Sequence, residues 1–196
     1  MTQRTPAGPS TRDALLDAAE AAVVAGAWGR TRMADVAAAA GVSRQTLYYE
    51  FGSKDGLAQA LALREAQRYA DDAEAARSAD HATPAASVRA GVEHTLTAAA
   101  SNPLLKAVLT DDAGDLLPYL TTRAEVLHAA AAERCAADLL ERWPALPPDD
   151  VRLVADAVTR LVVSHLVLPG GRPDQVASDV ARLVERLLPL PEEGAR

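Results

Sequence analysis

Alanine fills 44 of the 196 positions, whereas aromatic residues make up only 4%. That imbalance constrains the fold more than any other feature. Sheets depend on aromatic and β-branched side chains that pack across strands. Alanine is the strongest helix former. No apolar–polar alternation of strand period survives a window of six residues. The expected fold is therefore all-α. Glycine and proline cut the helical pattern into about nine helices. The first spans Thr11–Ala27, capped by Ser10 or Thr11, with Leu15, Ala18, Ala19, Ala22 and Val23 on one stripe. A short helix follows over Met33–Ala40, with Thr31 as its expected cap. Ser43 caps a third through Tyr49, Gly52 ends it, and Ser53 caps a long fourth from Lys54 to Ser78. Further helices are expected near Ala85–Ala100, Pro103–Thr110, Leu116–Arg142, Asp149–Leu168 and Pro173–Leu188. Residues 1–9 read as a loose tail without the apolar core of a signal peptide.

The single cysteine, Cys135, excludes an intrachain disulfide and any paired-cysteine metal centre. It also suggests a reducing, cytoplasmic setting. Four histidines (His81, His94, His128, His165) lie far apart in sequence, so no metal site is expected. No phosphate-binding glycine loop and no nucleophile elbow occur. Ser164 and His165 are adjacent, and successive side chains on a helix diverge. No enzyme chemistry, cofactor or membrane span is expected. The longest uncharged run, His94–Leu105, is too short and too polar to cross a bilayer. Arginine outnumbers lysine heavily, since only Lys54 and Lys106 occur. With the alanine excess this points to a GC-rich bacterial genome.

The net charge of −7 argues at first against nucleic acid. Its distribution argues otherwise. Residues 1–60 hold six basic and six acidic side chains, while residues 61–196 hold 14 basic and 21 acidic, so the whole excess lies in the larger part. A neutral head on an acidic body leaves the head as the one surface that phosphates would tolerate.

The head contains the informative segment, Arg32–Phe51 (RMADVAAAAGVSRQTLYYEF). Two short helices meet at Gly41, where the turn demands a positive φ. Ala37 lies four residues earlier, where a small side chain lets the helices cross closely. Val36, Ala40, Val42 and Leu47 supply the core beneath. This is helix-turn-helix spacing, in which the second helix enters a major groove. The continuation GVSRQTLYYEFGSKDGLAQAL resembles the end of the DNA-binding domain of the TetR family of bacterial transcriptional regulators. Leu47-Tyr48-Tyr49, Phe51, Ser53-Lys54 and Leu57 carry the likeness, which is detailed over Thr11–Leu63 and only architectural beyond.

The resemblance implies a three-helix DNA-binding domain over residues 10–56, its helix-turn-helix at about 32–51. A larger helical domain over 57–196 would bind a small molecule and dimerise. The implied function is a transcriptional regulator, most simply a repressor, binding a palindromic double-stranded DNA operator as a homodimer and released by an inducer. The alternative is a helical small-molecule-binding or enzyme-like protein with a vestigial DNA-binding head. The residues support contact with DNA in their own right. Arg44 can fork onto guanine and Gln45 can pair with adenine, flanked by Ser43 and Thr46. Tyr48 and Tyr49 point about 100° apart on a helix, so one can pack inward while the other reaches the backbone. In the family both commonly touch phosphates. Lys54 and the N-terminal amides of the fourth helix can hold a phosphate together. Thr31 and Arg32 occupy the same place on the second helix. Glu50 is a poor neighbour for phosphate, and is expected to face away or to pair with Arg44 or Lys54.

In the family the last two helices form a four-helix dimer seam. Here the candidates are Val158, Leu161, Val162, Val180, Leu183, Val184 and Leu187. Intramolecular core is the competing reading for the same residues. His94, Leu105, Leu109, Tyr119, His128, Trp143 and His165 are candidate lining for an inducer pocket. The acidic body disfavours polyanions, so the inducer is expected to be apolar or weakly cationic. The cationic option rests on Trp143 lying near Glu141.

Overall fold

The computed structural model describes residues 10–110 and 116–189; the expected tail, residues 1–9, lies outside them. Its described residues form ten α-helices and no strand. They are α1 (Thr11–Val24), α2 (Met33–Ala39), α3 (Arg44–Phe51), α4 (Lys54–Arg77), α5 (Pro84–Ser101), α6 (Pro103–Leu109), α7 (Leu117–Leu120), α8 (Glu125–Arg142), α9 (Pro148–Val167) and α10 (Pro173–Leu187). A short 3₁₀ turn, Trp28–Arg30, lies between α1 and α2.

Local chemistry explains the boundaries. Ser10 and Asp13 form a reciprocal capping box on α1, and the Ser10 hydroxyl holds the Asp13 carboxyl below its usual range. Proline opens α5, α6, α9 and α10, where its missing N–H is no loss. One expected helix is divided. The pattern over Leu116–Arg142 does not make one helix; it breaks at Thr121–Ala124 into α7 and α8. Two adjacent threonines are weak helix formers, and Glu125 then supplies the acidic residue that a helix start favours.

The chain forms two compact units. The first runs to Arg64 and takes back Pro103–Tyr119, so that α6 packs on α1. An undivided head ending near residue 56 does not anticipate this return. In the first unit, Leu15, Leu16, Ala19 and Val23 of α1, Val36 and Ala37 of α2, and Leu47 of α3 are buried. Arg64 ties α4 to α1 through Asp17 and Glu20, each at 2.7 Å.

The second unit comprises Glu65–Asn102 and the chain from Leu120 onward. Its core gathers Val88, Val92 and Leu96 of α5, Leu139 of α8, Val151, Val154 and Val158 of α9, and Val180 and Val184 of α10. A polar clamp borders this core. Arg77 pairs with Asp138 at 3.1 Å, both largely buried. Arg142 donates to the Arg77 carbonyl, to Ala79 O at 2.7 Å and to Ser87 Oγ at 3.1 Å. The end of α4, the start of α5 and the end of α8 are thereby held together. Among the described residues, no helix is long and apolar enough to cross a membrane.

Candidate nucleic-acid interface

The helix-turn-helix follows from its glycine. Gly41 has φ +68°, the left-handed conformation that glycine adopts at least cost. Val42 N donates back to Ala37 O across the turn. Ser43 caps α3 by accepting from Thr46 N at 3.1 Å, and its hydroxyl shares a 2.8 Å hydrogen bond with that of Thr46. Leu47 and Phe51 are buried beneath α3. At about 100° per residue, Arg44, Tyr48, Gln45 and Tyr49 fall within one arc of about 140°, which begins beside Phe51 and ends with Tyr49 opposite the Leu47–Phe51 face. All four are exposed, Tyr49 by 86% and Tyr48 by 49%. Neither tyrosine packs inward. Among the described residues, Arg44 and Gln45 make no ion pair or side-chain hydrogen bond, so both are free to bond a ligand.

The flanking candidates are placed differently from expectation. Thr31 does not cap α2. Its hydroxyl donates to Ala27 O at 2.8 Å, closing the turn before it. Arg32 is the cap residue and exposed, and its N–H donates to the Asp35 carboxylate at 2.9 Å. Lys54 is already engaged within the protein. Its ammonium donates to Trp28 O at 2.6 Å and lies 4.8 Å from the centroid of the Trp28 ring. Trp28 is buried, so Lys54 staples the start of α4 to the turn before α2. Glu50 pairs with neither Arg44 nor Lys54. Its partner is Arg12, at 3.3 Å. Only the fold brings α1 to the end of α3, so sequence spacing carried no signal for this pair.

The seven pocket candidates are divided between the units. Leu105 and Leu109 lie on α6 and Tyr119 on α7, all in the first unit. Tyr119 is buried and donates its phenol hydrogen to the Asp55 carboxylate at 2.6 Å. His94 is exposed on α5. The second unit keeps His128, Trp143 and His165. His128 is hydrogen-bonded to Asp156 at 2.8 Å, linking α8 to α9. Trp143 is stacked by the guanidinium of Arg142, 4.7 Å from the ring centroid. The chain's own cation thus occupies the ring expected to attract a cationic ligand. His165 is half-buried, with Nδ1 lacking a partner among the described residues.

The seam candidates divide by face. Val158, Val180 and Val184 are buried in the core of the protomer, and Leu161 and Val162 pack against it. Leu183 and Leu187 are exposed by 47% and 56%, and Leu153 and Leu168 of the α9 region are exposed as well.

Comparison with known proteins agrees with this architecture. The family model of bacterial regulatory proteins of the tetR family matches residues 15–61. The model of the bacterial tetracycline repressor C-terminal domain matches residues 84–186. The HTH-type transcriptional regulator AlkX of Mycobacterium tuberculosis is 36% identical over 174 residues, covering 88% of this chain and 82% of that protein. The crystal structure of the TetR family repressor AlkX from Dietzia sp., implicated in biodegradation of n-alkanes, superposes with TM-score 0.76. It is 32% identical and covers 92% of this chain and 96% of its own. The regulator PfmR from Thermus thermophilus superposes at TM-score 0.54 and 23% identity, a likeness of fold alone; the match covers 94% of this chain and 99% of that one.

Proposed function

Because the chain belongs to the TetR family of bacterial regulatory proteins, and so is a DNA-binding transcriptional regulator, we propose that it is a cytoplasmic repressor that grips a palindromic operator as a homodimer and releases it on binding a small apolar inducer. The observation that carries the reading is the exposed arc of α3. Arg44 and Gln45 offer forked hydrogen bonding to base edges, and Tyr48 and Tyr49 offer phenols to phosphates. An unoccupied Arg44 on a capped, well-anchored helix counts against a vestigial head.

The inducer reading rests on two arguments. The acidic excess over residues 61–196 repels anions, and Arg142 already satisfies the Trp143 ring. An uncharged apolar molecule remains. The link of the Dietzia AlkX to n-alkane biodegradation favours a straight-chain hydrocarbon or a neutral oxidised derivative. Its binding in the second unit would favour a state whose two α3 helices no longer match successive grooves, which is allostery between distinct sites. No catalytic step, metal or cofactor enters this scheme.

The test begins with an operator duplex selected from a random-sequence pool by the unmodified protein. Arg44→Ala and Gln45→Ala should each cost about 1–3 kcal/mol on that duplex and flatten the preference over unrelated DNA. Equal losses on both duplexes would remove α3 from base reading. Adding n-alkanes or n-alkanols should release the duplex and raise the melting temperature of the free protein.

A further inference from the structure

The reading helix carries a carboxylate that should oppose DNA binding. Glu50 lies about 100° around α3 beyond Tyr49, past the edge of the exposed arc, and is half-buried there. At low salt, where the Debye length reaches about 30 Å, a carboxylate there is felt by any phosphate that Tyr49 meets. The last turn of α3 has no basic residue of its own to offset it.

The offset comes from α1. Arg12 Nη1 donates to the Glu50 carboxylate and to the Glu50 carbonyl, both at 3.3 Å. The Arg12 guanidinium carbon lies 4.5 Å from the centroid of the Phe51 ring. One side chain thus meets three features of the end of α3: an acidic group, a late helix carbonyl and the face of a buried aromatic ring. A cation favours the C-terminal end of a helix. By the same rule Arg12 is badly placed on its own helix, since it occupies the first turn of α1, where a helix favours anions. A residue that breaks a local rule and gains only across the fold marks a tertiary or functional demand.

We propose that Arg12 is a positioning residue of the DNA-reading surface, neutralising Glu50 at the flank of α3 and anchoring the end of that helix for groove entry. This rests on the reading that α3 faces DNA. Arg12 acts through Glu50 and touches neither base nor phosphate. Its charge serves to remove a repulsion, so the benefit disappears when Glu50 is made neutral.

The experiment uses the full chain, the selected operator duplex, and four proteins: unmodified, Arg12→Gln, Glu50→Gln and the double variant. Glutamine keeps a donor for the Glu50 carbonyl and part of the stem over Phe51, so Arg12→Gln removes mainly charge. Thermal melts establish that each variant folds. Arg12→Gln should weaken binding roughly tenfold at low salt, less as salt rises and screening shortens the reach of the carboxylate. Glu50→Gln alone should stay within about twofold of the unmodified protein or bind more tightly, and the double variant should recover most of the loss, a coupling that only a cycle isolates. Arg12→Lys should retain binding. If the double variant were as weak as Arg12→Gln and the salt slope fell by about 0.9, Arg12 would be a phosphate ligand and the proposal overturned. Equal losses in the two arginine-neutralised proteins with an unchanged slope and a lowered melting temperature would make the role structural, again overturning it. Arg44→Ala runs alongside: if it left binding intact, α3 would not face DNA and both readings would fall together, whereas loss at Arg44 without Arg12–Glu50 coupling would sink this proposal alone.

Discussion

Two glycines separate what a backbone conformation costs from what a contact costs. Gly41 sits at φ +68° with open space where a Cβ would stand, so Gly41→Ala incurs only left-handed strain, about 1–2 kcal/mol. Gly56 lies in the first turn of α4, where alanine would gain up to about 1 kcal/mol of helix propensity. Its Cβ, however, would collide with the Phe51 carbonyl oxygen. Backbone cannot swing aside as a side chain does, so the clash outweighs the propensity. Gly56→Ala should cost about 2–4 kcal/mol, the larger of the two losses, read from denaturant midpoints. A stabilised Gly56→Ala protein would show that the α3–α4 corner relaxes freely. Lys54 makes a related point. Its ammonium is committed to the Trp28 carbonyl and ring, so Lys54→Ala should lower the melting temperature of the first unit. The salt slope of DNA binding should stay nearly unchanged, whereas a direct phosphate ligand would take about one unit from it.

At the scale of elements, what the sequence disclosed was local and what it withheld was long-range. The turn at Gly41, the Ser43 and Ser53 caps and the proline starts of α6 and α10 all depend on residues within four positions of one another, and all appear where expected. The partners of Glu50 and Lys54 lie 38 and 26 residues upstream, and no periodicity encodes such a meeting. The break before α8 was hidden because alanine and leucine continue the helical pattern on both sides of Thr121–Ala124. The return of α6 to the first unit was hidden because its apolar residues have the composition of any core helix. The α8–α9 pairing shows how such a distant contact can be probed. Asp156 of α9 accepts from Arg160 at 2.8 Å and is bonded to His128 of α8. Arg160 first, and then His128, hold its carboxyl down from the ordinary 3.8 to about 2. A carboxyl depressed on folding lends stability that is complete above its unfolded value and is lost as pH falls through its folded one. Its contribution should therefore fade between about pH 3.8 and 2. Asp156→Asn should flatten the decline of melting temperature in that window and leave the neutral-pH profile the same shape. An unaltered acid profile would mean that the pair does nothing measurable for α8 and α9.

For the whole molecule, the decisive question is which apolar faces the protomer satisfies by itself. Val176, Val180 and Val184 recur every four residues on α10 and are buried against the core of the second unit. Leu183 and Leu187 form the adjacent stripe, also four apart, and remain exposed. On the α9 side Leu168 is exposed by 76% and Leu153 is also open to solvent. An apolar side chain loses about 1.5–3 kcal/mol of transfer free energy when it stays in water rather than in a core. Four large aliphatic groups on the last two helices and at the end of α9 are therefore worth covering. In the proposed homodimer a second copy covers them, and two-fold symmetry makes the patch self-complementary. A stripe broader than one protomer's core requires fits this use, because the inner residues build the fold and the outer ones the seam. The two sets should respond differently to charge. Leu183→Arg or Leu187→Arg should leave helicity by circular dichroism intact while light scattering falls from twice 20.5 kDa to one protomer, and operator affinity should fall with it. Val184→Arg places an unpaired cation in the core, at a cost of several kcal/mol, and should unfold the second unit outright. A mass of 20.5 kDa for the unmodified chain at micromolar concentration would leave those leucines without a partner copy and the palindromic operator without its two-fold reader.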